Sequence, residues 1–190
     1  MTITIVLILA TAGVCVLSLL AIGVQAYRKF RGPMIITCPE THAPAAVAVD
    51  SMHAAMTAAV DATELRLKQC SRWPERQDCG QECLRQIEVA PQSCMVRTIL
   101  ADWYADKSCA LCGRAFEPIH TWDHQPAMLG ADGRTLQCSD IAVERLPQVL
   151  ATSRPVCWNC HIAEEFRRCN PDLVIDRPLH GESGQHARVG

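Results

Sequence analysis

The feature that most constrains this chain is its beginning, where no Asp, Glu, Lys or Arg occurs before Arg28. The largely apolar run from Ile3 to Val24 makes a helix roughly 33 Å long at about 1.5 Å per residue, enough to cross a hydrocarbon core of about 30 Å. A cleaved signal peptide is the competing reading, and Val24-Gln25-Ala26 resembles a small-residue cleavage site. Signal peptides carry a charged leading region and an apolar stretch of only about 7–15 residues. This run is longer and begins Met-Thr-Ile-Thr. A retained transmembrane helix over residues 1–26 is therefore expected, with the lipid bilayer as its partner.

The cations set the expected orientation. Arg28, Lys29 and Arg31 directly follow the apolar run, and no basic side chain precedes it. The positive-inside rule then puts the N-terminus outside and the remainder in the cytoplasm. The localisation expected is a cell membrane, crossed once. Gly32-Pro33 breaks the helix exit, so residues 27–33 read as a basic juxtamembrane linker.

Beyond the linker the chain reads as a small α+β domain rich in cysteine. The sequence has 12 cysteines in 190 residues, below the roughly 8–10% that marks a disulfide-built mini-protein. Formal charge is −2, so no global electrostatic pull toward nucleic acid exists. Residues 34–106 form the first part. Met34 to Cys38 reads as a strand, Ala45 to Val49 as its hairpin partner, and Ser51 to Leu67 as a helix with Met52, Met56, Val60 and Leu65 near helical spacing. Met95, Ile99, Leu100, Trp103 and Tyr104 give the apolar face of a later helix ending near Asp106. Residues 107–176 form the functional module, and residues 177–190 a solvated, frayed tail.

The module contains two cysteine pairs, Cys109-Ala-Leu-Cys112-Gly113 and Cys157-Trp-Asn-Cys160-His161. A C-x-x-C followed by glycine suits a zinc knuckle, whose tight turn converges two thiolates on one ion. The second pair opens an apparent helix, where free N–H groups and the macrodipole stabilise thiolate charge. Together the pairs supply a tetrahedral four-sulfur site, with structural zinc its usual occupant and iron the other choice. Two disulfides or free buried thiols are the bland alternative, and a cytosolic setting disfavours disulfides.

Between the pairs lies His120-Thr-Trp-Asp123-His124-Gln-Pro126. The order C-x-x-C, Asp-His-x-Pro, C-x-x-C-His over roughly residues 108–170 resembles the zinc-bearing HNH family. That resemblance implies a ββα-metal, treble-clef-like fold. It implies Asp123 and His161 as ligands of a second metal such as Mg²⁺, and His124 as the general base of an endonuclease hydrolysing a phosphodiester. The Asn usual upstream of the last pair is lacking, since Gln148 to Val156 contains none. Residues 101–170 hold nine acids and seven bases, which does not favour nucleic acid as partner.

Cys157-x-x-Cys160-His161 also spells a c-type haem attachment site, with Met128 or His120 as sixth ligand. A membrane-anchored cytochrome is thus a further alternative, although haem attachment occurs outside the cytoplasm. Cys70, Cys79, Cys83 and Cys94 are candidates for a further metal, with Cys38 as a substitute ligand. The i,i+4 spacing of Cys79 and Cys83 lets both share one helical face. The expectation as a whole is a membrane-anchored zinc-binding protein with an interaction or assembly role and a protein partner at the membrane, more so than an enzyme.

Overall fold

A computed structural model describes residues 2–73, 75–76, 78–117 and 127–173. The chain begins with one unbroken helix, α1 (Thr2–Phe30). By length and composition it can cross a membrane, a property that signal sequences and the core helices of soluble proteins share. Core helices are covered by their protein, whereas Ile3, Leu7, Leu9 and Leu17 on α1 are all exposed. Its far end behaves differently, for Ala26 and Phe30 are buried. The stretch expected as a linker is occupied by the last turn of α1 and by Arg31 and Gly32, because Pro33 already opens the first strand.

That strand, β1 (Pro33–Thr37), pairs antiparallel with β2 (Pro44–Val49), Met34 opposite Val47 and Ile36 opposite Ala45. Strict alternation buries Met34, Ile36, Ala45, Val47 and Val49 on one face. Next comes α2 (Ser51–Val60), N-capped by Asp50, whose carboxylate accepts from the His53 N–H at 3.0 Å and pairs with Arg66. The helix expected through Leu67 stops at Val60. Its continuation turns back so that β3 (Leu67–Cys70) covers the open edge of β2. Burying Leu67 in the core and closing that edge outweighs the helical preference of an Ala-rich run.

Three short helices follow, α3 (Leu84–Val89), α4 (Pro91–Cys94) and α5 (Val96–Tyr104). A second antiparallel sheet has the order β5-β4-β6, from β4 (Ala127–Leu129), β5 (Thr135–Gln137) and β6 (Arg154–Val156), with α6 (Leu146–Thr152) before β6 and α7 (Trp158–Cys169) after it. One core gathers Phe30, Met34, Ile36, Val47, Ile87 and Met95. A second gathers Leu100, Met128, Leu146 and Leu150, with Ile35 and Trp103 against it. Ile35 lies on the face of β1 opposite Met34 and Ile36, so one strand contributes to both cores. Polar bonds tie α5 to the second sheet's side of the molecule as well: Trp103 Nε1 donates to the Leu150 carbonyl of α6 at 3.1 Å and Tyr104 Oη to that of Ala127 in β4 at 2.6 Å.

The helix α2 lies alongside the C-terminal half of α1. A Cβ on Gly23 would sit 3.3 Å from the Ala55 carbonyl oxygen and 3.9 Å from the Ala59 Cβ. Glycine there lets the two backbones approach closely.

Candidate metal centre

The first pair of cysteines sits in a tight turn closed by the bridge between Ser108 and Ala115. The Cys109 N–H donates to the Arg114 carbonyl at 2.8 Å, and the Gly113 N–H to the Cys109 carbonyl at 2.9 Å. The turn needs a left-handed residue, and Gly113 supplies it at φ +72° without a Cβ clash. The Ala110 N–H donates to the Pro155 carbonyl at 2.8 Å, which fastens the turn to β6.

Strand β6 then delivers the second pair. Cys157 is the extended residue that caps α7, and Cys160 lies in the helix's first turn. The Cys157 N–H donates to the Cys109 sulfur at 3.3 Å, and the Cys112 and Cys157 sulfurs are 3.8 Å apart. All four sulfurs lie within 4.8 Å of one another. Tetrahedral zinc with Zn–S bonds of about 2.3 Å puts its sulfurs roughly 3.8 Å apart, against about 2.05 Å in a disulfide. The four cysteines can hold a metal ion.

Burial works against ionising the Cys109 thiol, but N–H groups of Cys157, Cys112 and Leu111 outweigh it and hold the thiol down to about 6. Cys160 is pushed up, first by burial and then by the neighbouring Cys157, Cys112 and Cys109. Cys157 is also pushed up by burial. One sulfur is thus ready as a thiolate, while those of Cys157 and Cys160 need a cation to offset burial and crowded negative charge.

His161 is 3% exposed and is not one of the converging ligands. The Gln137 amide nitrogen lies 3.1 Å from Nε2, and Thr135 Oγ1 lies 2.8 Å from Nδ1. An amide nitrogen can only donate, so Nε2 accepts and Nδ1 donates to Thr135. The ring therefore fastens α7 to β5, with both nitrogens engaged. Thr135 and Gln137 carried no sequence signal beyond their place on a short strand. Met128 is buried among Leu100, Leu146 and Leu150. His120, Asp123 and His124 lie outside the described residues, as does the tail over 177–190.

Among the central cysteines, Cys94 separates from its expected companions. It is buried in the first core, and its thiol donates to the Gln86 carbonyl at 3.9 Å. Cys70, Cys79 and Cys83 instead line one cavity with Cys38. The Cys83 thiol is pushed up to about 11, first by burial and then by Cys70, Cys79 and Cys38. Among the described residues, the Cys109 set is the one group of three or more possible ligands whose atoms converge in this way. No family model, curated protein or solved structure matches this chain.

Proposed function

We propose that this chain is a membrane-anchored zinc protein whose Cys109, Cys112, Cys157 and Cys160 centre is structural and holds an interaction module beside the bilayer. The observation that carries the reading is the meeting of four sulfurs from two distant segments within 4.8 Å. A site with four cysteine ligands leaves zinc no open position for water, which is the mark of a structural rather than a catalytic centre. Retention of α1 is supported by Ala26, a buried side chain that cleavage after it would strip from the domain. The cations that follow the apolar run support a cytoplasmic domain, where thiols stay reduced. A surface for a protein partner is supported by Ile162 and Phe166, exposed one turn apart on α7.

The test is elemental analysis with an absorption spectrum of the purified full chain. Zinc that is lost in the Cys112→Ser/Cys160→Ser variant is the expected result. Metal-free protein with these sulfurs oxidised to one another, or a Soret band from covalent haem, overturns the reading. The order of knuckle, β4–β5 hairpin and helix opening with the second pair also supports the HNH-type nuclease as a second reading. Under it, Mg²⁺-dependent DNA cleavage disappears in His124→Ala while zinc content stays unchanged. Wild-type protein that cleaves no DNA under varied divalent metals removes it.

A further inference from the structure

The turn that joins β1 to β2 repeats the backbone of the Cys109 knuckle. The Cys38 N–H donates to the Ala43 carbonyl at 2.9 Å, as Cys109 does to Arg114, five residues on in each case. The His42 N–H donates to the Cys38 carbonyl at 2.8 Å, as Gly113 does to Cys109, four residues on. The left-handed residue falls at the same place, His42 at φ +54° and Gly113 at φ +72°. N–H groups two and three residues later face the sulfur in both turns, those of Glu40 and Thr41 at Cys38 and those of Leu111 and Cys112 at Cys109. The N-terminal turn thus has the form that presents a thiolate to a metal, with Thr41 where the other has its second cysteine.

Sheet register brings the remaining sulfurs to it. Cys38 continues the alternation of Met34 and Ile36, so it leaves β1 on the core-facing side. Cys70 ends β3 opposite Val47, whose side chain is buried on that same side. Helix α3 belongs to this core through Ile87 and is capped by Cys83. Cys79 lies four residues earlier and outside any helix, with Gln81 left-handed at φ +54°, so the two do not share a helical face as their spacing suggested. The four cysteines line a cavity of about 220 Å³ that Arg72 and Arg76 also border. Four thiolates around a divalent cation carry a net charge of −2; the two guanidiniums at the rim are paired with Glu75 and Glu40, and Glu82 also lines the cavity.

We infer that Cys38, Cys70, Cys79 and Cys83 form a second four-sulfur site for a thiophilic divalent cation, zinc in the first instance. The site is independent of the Cys109 centre. The ion would tie the β1–β2 turn, the end of β3 and the residues before α3 together. Cys94 takes no part.

The test counts zinc in the full-length protein, purified in detergent under reducing conditions. Two ions per chain are expected in wild type and in Cys94→Ser. One is expected in Cys79→Ser/Cys83→Ser, and one in Cys112→Ser/Cys160→Ser. Alkylation of wild type, read by peptide mass spectrometry, needs no variant to fold: Cys38, Cys70, Cys79 and Cys83 should resist until a chelator is added. Zinc content unchanged in the Cys79/Cys83 variant, labelling of these four before chelation, or disulfides among them would overturn the inference. A wild type whose zinc drops only in the Cys79/Cys83 variant keeps this site and sinks the Cys109 centre instead.

Discussion

Two turns in this molecule share one hydrogen-bond skeleton and differ in how their sulfurs are supplied. The Cys109 turn carries two cysteines itself and receives two more from the capping position and first turn of α7. The Cys38 turn carries one, and its companions come from the end of β3 and the approach to α3. A locally encoded pair needs only one other segment to be placed well. A site assembled from three segments depends on strand register and helix docking at once. Ion binding at the second site should therefore be more easily uncoupled from folding than at the first.

The largest test of that contrast is metal removal at the Cys109 centre. Structural zinc contributes apparent free energy on the order of 10 kcal/mol, so chelation or the Cys112→Ser/Cys160→Ser change should expose the amides of β4, β6 and α7 to hydrogen exchange. Amides of β1 and β2 should stay protected. Equal loss in both sheets would mean that the shared core makes them one cooperative unit. The next effect probes the N-terminal half without touching sulfur. Phe30→Ala should cost about 3–5 kcal/mol in chemical denaturation by opening a cavity in the first core, with zinc at the Cys109 centre retained.

His161 offers a smaller and sharper test of the C-terminal half. His161→Phe leaves Thr135 and Gln137 without their partner and should cost about 1–3 kcal/mol. Zinc content should not change, and its loss would return the imidazole to the metal's own ligands. Alkaline pH probes the contact between α5 and β4. Burial raises the Tyr104 hydroxyl above its ordinary value, while the unfolded side chain titrates near pH 10 (approximately). This group's contribution is thus fully present below about pH 10 and falls as pH rises beyond it, by up to about 1.4 kcal/mol per unit. The stability difference between wild type and Tyr104→Phe should shrink over that range. Smallest are the two left-handed positions. Gly113→Ala should cost about 1 kcal/mol. His42→Gly should shift stability by only a few tenths of a kcal/mol, because relief at φ +54° is offset by the extra freedom of an unfolded glycine.

What could be read from the residues follows the same division. The β1–β2 hairpin, the apolar face of α5 and the convergence of the two C-x-x-C pairs are all signalled within short windows, by alternation, helical spacing or a turn glycine. The early end of α2 was hidden because Leu65 continues the near-helical spacing of Met52, Met56 and Val60, while the pairing of Leu67 with the edge of β2 draws the chain into a strand. Cys38 was legible only as a substitute ligand. Spacing alone groups Cys94 with Cys70, Cys79 and Cys83; Cys83 and Cys94 are both buried in the first core, but Cys94 does not line the cavity, whereas register carries Cys38 to it. Ile35 shows the limit most plainly, since a strand that serves two cores has no polar face to announce it.

Phe30 fixes how the shaft meets the head. Only Arg31 and Gly32 separate α1 from β1, and the last buried ring of the helix is already a member of the first core. There is no swivel at that junction. In a bilayer, a change in the tilt of α1 would be passed on as a rotation of the sheet and of the turn that bears Cys38. The helix would then work as a lever as well as a tether, so thinning or thickening the lipid would reorient the domain rather than merely raise or lower it.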